Sequence, residues 1–176
     1  ENTDIGVFEG STFIYTNSIP LGGENITNDI ALVLNIAYEE ADKLKRQYGL
    51  ALKSFIDNDN DIILNTCKDN NKNKIIKSSE LIEIIEARIE EMFLIINKDL
   101  TNQGIKSRIN NVVLTGQGIV NISKSDVAGK INLNIPVKIS TGRLIGTTKP
   151  AYRTSYALVR YIASRPFTKT VSSSID

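Results

Sequence analysis

The 176 residues contain no histidine and a single cysteine, Cys67. The lack of histidine excludes a histidine-based catalytic triad and disfavours a protein zinc site. One cysteine forms no internal disulfide, which fits a reducing compartment. A catalytic thiol usually needs a histidine as its base, so Cys67 is predicted to be a small structural residue.

The chain also lacks a strong net charge and a long apolar run. Its 21 basic and 20 acidic residues leave a charge of +1, which selects neither nucleic acid nor an acidic membrane. No apolar run approaches the ~20 residues that span a bilayer, and the sequence predicts no signal peptide. The first residue is Glu1 rather than methionine, and we expect further residues upstream. The length suits one domain with or without a sizeable insertion.

The first half of the chain predicts a hairpin and a helix pair. β-Branched and aromatic residues at 3–8 and 12–19 favour two strands joined by a turn. Thr27 is expected to cap the first helix, and apolar residues at helical spacing predict a second helix over 38–49. The acidic run 57–61 lacks the glycine and glutamate of a calcium loop and is interpreted as a solvated turn.

The second half predicts a long helix followed by a return to an α/β pattern. Apolar residues recur every three or four positions from about Ser79 onward, which is typical of a helix with one buried side. The predicted elements are a strand at 62–65, this helix to about 100, strands at 111–114 and 136–139, a helix at 123–133 weakened by a glycine, and a last helix at 151–164.

The segment around the Gly22-Gly23 pair is the most informative. A strand-like run ends in two glycines and a helix follows, which brings bare backbone N–H groups and a helix N-terminus together. That arrangement suits a phosphate. Adjacent glycines are also common in ordinary turns before a helix, so the pair alone does not establish a phosphate site.

Together with the helix that follows, this segment resembles FtsA, the family of bacterial cell-division actin homologues. The stretch Gly-Gly-x-x-x-Thr-x-Asp-Ile-Ala at 22–31 leads into Glu-Glu-Ala-Asp-x-x-Lys at 39–45, in the order found in that family. The Lys-Pro-Ala-Tyr at 149–152 is similar to the Asn-Pro-Ala-Tyr near the family's C-terminus. The resemblance extends over roughly 3–164.

The resemblance implies an α/β fold of the actin-like (ribonuclease H-like) type, of which this chain would be the C-terminal half. A nucleotide-binding subdomain would comprise 1–24 and 111–164, with an inserted helical α+β subdomain at 25–110 and a flexible tail at 165–176. By this resemblance, the central strand that ends in the family's phosphate loop is expected to lie upstream of the chain's first residue. We expect upstream residues or another chain to occupy its place, because the sheet would otherwise have two unpaired edges.

The resemblance further implies ATP and Mg²⁺ as cofactors. Thr3 would meet the β- and γ-phosphates, and Gly22 and Gly23 would let the backbone approach them. Asp42 and Lys45 share one face of their helix and would reach the ribose and the adenosine. The alternative for this last pair is an ordinary surface ion pair.

The turn Gly116-Gln117-Gly118 would lie against the adenine or its phosphates. Gln117 departs from the family's glycine there and places a side chain over the purine pocket. Asp42 likewise replaces the family's usual glutamate and is one methylene shorter. The family hydrolyses ATP slowly at best, so no catalytic residue is assigned.

The resemblance implies an adaptor in cell division. Such proteins bind the C-terminal tail of the tubulin-like FtsZ, assemble into filaments, and reach the membrane through a C-terminal helix that is not present in this chain. Arg88 would pair with a carboxylate of that tail, with an intrahelical pair to Glu91 as the alternative. The expected location is the cytoplasmic face of the inner membrane at the division site, without nucleic acid.

Two other functions remain open at the level of the sequence. One is a pilus-assembly relative of the same fold with a different filament partner. The other is an enzyme of the wider superfamily, such as a sugar kinase.

Overall fold

A computed structural model describes residues 2–64, 74–140 and 153–164. Cys67, the Lys-Pro-Ala-Tyr stretch and the predicted tail lie outside the described residues. The chain divides into two units, residues 1–140 and 141–176, which we describe separately.

The first unit begins with the predicted hairpin. Strand β1 (Thr3–Glu9) pairs antiparallel with β2 (Thr12–Ile19). A bulge shifts the register between Val7 and Phe8. The hydroxyl of Tyr15 and the amide of Asn17, both on β2, donate hydrogen bonds of 2.9–3.0 Å to the carboxylate of Asp99. These bonds hold the hairpin against the long helix of the unit.

The predicted helix pair is also present. Helix α1 spans Gly23–Leu34 and α2 spans Tyr38–Tyr48. The prediction that Thr27 caps α1 is wrong, because the helix begins one turn earlier and Thr27 is buried inside it. Gly22 is the N-cap, and its N–H donates to the side-chain oxygen of Asn25 at 2.8 Å, so a residue of the first turn completes the cap.

The middle of the unit contains a short hairpin and a long helix. Strand β3 (Asp61–Leu64) pairs antiparallel with β4 (Lys74–Lys77), and α3 (Ser78–Asn102) follows directly. Strand β4 was not predicted, because four residues that abut a helix leave little period-2 signal. Asp59, in the acidic run, accepts the backbone N–H of Ser79 at 2.8 Å and so stabilises the start of α3.

The α/β pattern returns after α3. Strand β5 (Val112–Leu114) pairs in parallel with β6 (Val137–Ile139), and helices α4 (Gln117–Val120) and α5 (Ser125–Leu133) connect them. Helix α5 continues through Gly129 without a break. A Cβ at Gly129 would lie 2.9 Å from the ring of Phe93, so this glycine allows α5 to pack closely on α3.

One hydrophobic core joins these elements. It takes buried residues from α1, α2, α3, α5 and the inner side of the β3–β4 hairpin. The buried stripe predicted for α3 is observed, except that Ile96 is only half-buried. The fully buried larger side chains include Ile26, Ile30, Ile36, Leu64, Leu81, Ile85, Ile89, Ile122 and Leu133.

The described strands form three separate two-stranded sheets, β1–β2, β3–β4 and β5–β6. The β1–β2 pair and the β5–β6 pair are therefore not hydrogen-bonded to each other in the described part of the chain. What lies between them stays a prediction, as do the boundaries of the inserted subdomain.

The second unit is described over helix α6 (Arg153–Ala163), close to the predicted last helix. Four large apolar side chains of α6 are exposed: Leu158, Val159, Tyr161 and Ile162. Among the helices the structure describes, none is long and apolar enough to cross a membrane.

Candidate functional site

Predicted nucleotide-binding residues converge around a backbone contact between Gly23 and Gly118, which we call the glycine junction. Gly23 is the first residue of α1, and Gly118 lies in α4, which follows β5. A Cβ built on Gly23 would lie 2.8 Å from the Cα of Gly118. Two segments almost 100 residues apart in sequence thus meet main chain to main chain. A Cβ at Gly23 would force them apart, and a Cβ at Gly118 would lie only 3.1 Å from the backbone nitrogen of Gly23.

The turn before α4 also depends on glycine. Gly116 has φ +95° and caps α4, and this backbone conformation is strained for residues with a Cβ. Gly116 and Gln117 are exposed, whereas Gly118 is half-buried at the junction. The open side of the turn is therefore available to a ligand.

Thr3 begins β1 and pairs with Ile19, so it lies at the end of the hairpin from which the chain continues to Gly22. Its hydroxyl donates a hydrogen bond of 2.7 Å to the carbonyl of Leu21. This bond ties the start of β1 to the loop that leads into Gly22. The predicted phosphate-binding threonine and glycines therefore lie within one short stretch of structure.

Lys45 reaches the junction from α2. Its ammonium is 3.0 Å from a carboxylate oxygen of Asp42 and donates to the carbonyl of Gly23 at 3.0 Å. It also donates to the hydroxyl of Thr27. An ammonium has three donors, and here three oxygens surround it: two lie in the first two turns of α1, and the third belongs to Asp42 on α2. The Lys45 side chain is 13% exposed and that of Asp42 is 26% exposed, so the pair is partly buried.

Asp42 is held by two cations. Its second oxygen accepts from the guanidinium of Arg46 at 2.7 Å. Partial burial on its own would raise the pKa of Asp42, but the hydrogen bonds and charges of Lys45 and Arg46 outweigh it and hold the pKa below its ordinary value. Asp42 is therefore an anion near neutral pH and can accept hydrogen bonds from hydroxyl groups.

Thr27 is a part of this arrangement that the sequence did not predict. It was predicted as a helix cap, whereas its buried hydroxyl bridges Lys45 and Gly23. The i, i+4 spacing from Gly23 to Thr27 was the available signal, because a threonine hydroxyl often bonds the carbonyl four residues earlier in a helix.

The predicted partner-binding residue, Arg88, lies apart from the junction on α3. Its guanidinium donates to both carboxylate oxygens of Asp29 on α1, at 2.6 and 2.9 Å, and also to Glu91. The intrahelical pair considered from the sequence is thus present, together with a contact between helices. Both acidic partners raise the pKa of Arg88 through hydrogen bonds and charge, Asp29 most strongly.

The described residues contain no group of three or more acidic, cysteine or histidine side chains that could hold a metal ion. No residue of this part is therefore assigned to Mg²⁺. An open pocket of about 480 Å³ lies elsewhere, lined by Thr101, Lys106 and Asn134 among others, and it includes none of the predicted site residues.

Solved structures define the class of fold. MreB5 of Spiroplasma citri bound to AMPPNP superposes with a TM-score of 0.68 at 17% identity, covering 92% of this chain and 52% of MreB5. The same protein bound to ADP gives 0.67 at 18%, covering 93% and 53%. The fold is therefore that of the actin-like ATPases.

Sequence comparison defines the family. A family model described as cell division protein FtsA matches residues 1–157. Cell division protein FtsA of Bacillus subtilis (strain 168) is 33% identical over 160 residues, which cover 91% of this chain and 36% of that protein. FtsA of Buchnera aphidicola subsp. Baizongia pistaciae is 34% identical over 146 residues, covering 78% and 34%. The chain belongs to the FtsA family, and it spans about a third of the length of these relatives.

Membership in this family decides among the alternatives that the sequence left open. The cell-division reading is favoured over a pilus-assembly protein and over a sugar kinase, because the family match covers most of the chain.

Proposed function

We propose that this chain forms one wall of an ATP site in a cell-division protein of the FtsA type. The observation that carries the proposal is the convergence at the glycine junction. Contacts between neighbouring segments connect residues of four elements: Thr3 of β1, Gly23 of α1, Gly118 of α4, and Lys45 and Asp42 of α2.

The phosphates are proposed to lie near the start of α1. Backbone N–H groups at a helix N-terminus favour a negative charge, and the ammonium of Lys45 adds a positive one nearby. The N–H of Gly22 donates to the side chain of Asn25, and the N–H of Asn25 donates to the carbonyl of Gly22, so neither is assigned to a phosphate. The hydroxyl of Thr3 is close enough to the loop to turn from Leu21 toward a phosphate oxygen.

The nucleoside is proposed to lie between α2 and the turn before α4. Asp42 would accept the ribose hydroxyls, since its charge makes it a pure acceptor. The exposed backbone of Gly116 and Gln117 would contact the adenine, with the Gln117 side chain at the edge of the purine. Mg²⁺ would accompany the phosphates, and its protein ligands are not assigned to the described residues.

ATP titration of the full-length protein tests this site. Lys45→Ala should weaken ATP binding about tenfold, because it removes a charged donor next to the ligand. Lys43→Ala is the matched control: Lys43 is on the same helix, its side chain is 74% exposed and it pairs with Glu40. Equal affinity in the Lys45→Ala variant and the wild type would refute the role given to Lys45.

The biological role proposed for the whole protein is an adaptor at the division site. It would bind the C-terminal tail of FtsZ, assemble into filaments, and associate with the cytoplasmic face of the inner membrane through a C-terminal helix. Membership in the FtsA family and the actin-like fold support this role.

Arg88 is the residue proposed for the tail. A tail carboxylate would compete most easily with Glu91, whose side chain is 51% exposed, rather than with the bidentate contact to Asp29. Binding of an FtsZ tail peptide to the full-length protein tests this. Glu91→Gln should strengthen binding a few-fold by freeing one edge of the guanidinium, and Arg88→Met should abolish most of it. Unchanged binding in Arg88→Met would remove Arg88 from the interface.

A further inference from the structure

We propose that Thr27 is a positioning residue that aims the ammonium of Lys45 at the nucleotide. The inference rests on the proposed ATP site and extends it to a residue that does not itself contact the ligand. It concerns the hydroxyl of Thr27 and not its methyl group.

The direction of the hydrogen bonds supports this role. The hydroxyl of Thr27 has one proton, which it donates to the carbonyl of Gly23 at 3.2 Å. With its proton committed, the oxygen is left as an acceptor, and Lys45 donates to it. The chain of bonds from Lys45 through Thr27 to Gly23 therefore has a fixed direction.

The flexibility of the lysine side chain explains why the bond to Thr27 matters. A lysine side chain has four rotatable bonds, and the ion pair with Asp42 on the same helix would allow the ammonium several positions. The two contacts on α1, to Thr27 and to the carbonyl of Gly23, hold it beside the glycine junction. A ligand that approaches there meets a charge already in place.

The surroundings of Thr27 argue against packing as the only reason for the residue. Thr27 is fully buried next to Ile26 and on the side of α1 that contains Ile30. A valine of the same shape would suit such a position better, because a buried hydroxyl is unfavourable unless it is hydrogen-bonded. The hydroxyl is bonded, and its partners belong to the proposed site.

The experiment measures ATP affinity in the full-length protein with Thr27→Val and Thr27→Ser. We expect Thr27→Val to bind ATP about five- to tenfold more weakly, and Thr27→Ser to bind within about twofold of the wild type, because serine keeps the hydroxyl. Thermal unfolding without ATP should show only a small loss for Thr27→Val, because Lys45 keeps its contacts with Asp42 and with the carbonyl of Gly23. Thr101→Val is the matched control, because Thr101 also bonds the carbonyl four residues earlier, in α3 and away from the junction.

The outcomes separate the inference from the proposed function. Wild-type protein that does not bind ATP would overturn the proposed site and this inference with it. Wild-type binding with unchanged affinity in Thr27→Val would overturn the inference alone. Should valine prevent folding, the pair Thr27→Ser and Thr27→Ala asks the same question: equal ATP affinity in the two would overturn the positioning role.

Discussion

Helix α1 is contacted by one cation from each of two neighbouring helices. Lys45 of α2 donates hydrogen bonds to Gly23 and Thr27 in the first two turns of α1. Arg88 of α3 donates to Asp29, two residues after Thr27 in α1. Both cations were predicted from the sequence to bind something outside the chain. In the structure both are engaged within it, but with different kinds of partner.

Lys45 shares its charge between one carboxylate and two neutral oxygens. A phosphate or hydroxyl of a ligand can replace a neutral oxygen without leaving a buried charge uncompensated. The guanidinium of Arg88 instead faces two carboxylates, one of them in a bidentate contact. Displacing Asp29 would separate two charges whose side chains are only 24% and 23% exposed, which is costly.

The difference shows how an internal contact bears on a proposed ligand site. An internal hydrogen bond to a neutral group is compatible with ligand binding, whereas a bidentate ion pair favours a structural role. The Lys45 cluster is therefore the stronger candidate for ligand binding, and the Arg88 contact with Asp29 is the stronger structural tie.

The largest effect is expected at the glycine junction, on which the Lys45 cluster depends. Gly23→Ala should lower the free energy of unfolding by about 2–3 kcal/mol, because the new Cβ would clash with the backbone of Gly118. Urea unfolding measures this. Asn28→Ala, an exposed change in the same helix, should cost nothing measurable. A stable Gly23→Ala protein with unchanged ATP affinity would show that the close contact is dispensable.

The Arg88 contact should come next in size. Arg88→Met keeps much of the side-chain length but removes the charge, and we expect a loss of about 1–2 kcal/mol in unfolding free energy. A double-mutant cycle with Asp29→Asn isolates the pair and should give a coupling energy near 1 kcal/mol. A coupling energy close to zero would mean that the contact does not hold α3 to α1.

Lys45→Met should cost less stability than Arg88→Met. Asp42 keeps its bond to Arg46 when Lys45 is lost, so no carboxylate is left without a cation. The expected loss is about 0.5–1 kcal/mol in urea unfolding without nucleotide. If Lys45→Met proves more destabilising than Arg88→Met, the contrast between a ligand-binding and a structural cation fails.

The smallest effect concerns the charge of Asp42. Its pKa is held below the ordinary value of 3.8, so the ionised carboxylate stabilises the fold above that pH, and this contribution disappears as the pH falls through the lowered pKa. Asp42→Asn should therefore be less stable than the wild type by a few tenths of a kcal/mol at pH 7, since the pair is partly exposed. Urea midpoints should converge as the pH falls below about 3.8. A difference that persists there would exclude charge as the cause.

The family and most of the fold could be predicted from the sequence. The hairpin, the helix pair and α3 follow from local periodicity, which each segment carries within itself. Strand β4 and the early start of α1 could not be predicted in this way. Strand β4 depends on pairing with β3, and the cap of α1 depends on a side chain that bonds backward to Gly22.

For the candidate site the sequence offers a set of residues, and the structure adds their arrangement. Thr3, Lys45 and the glycines were identified through their resemblance to a family, residue by residue. The contact of Gly23 with Gly118 and the bond from Lys45 to Thr27 arise from segments that fold together, and no local pattern in the sequence encodes them. The same holds for Arg88, whose partner on α1 is 59 residues away in the chain.

The contact between Gly23 and Gly118 also bears on how the protein can change over evolutionary time. The spacing of α1 and α4 at this point is fixed by the main chain alone, so substitutions in the surrounding side chains leave it unaltered. An exposed residue such as Gln117 can then vary without altering this spacing. The distance between the two helices at this point would be inherited unchanged, while the chemistry of the proposed site beside it diverges.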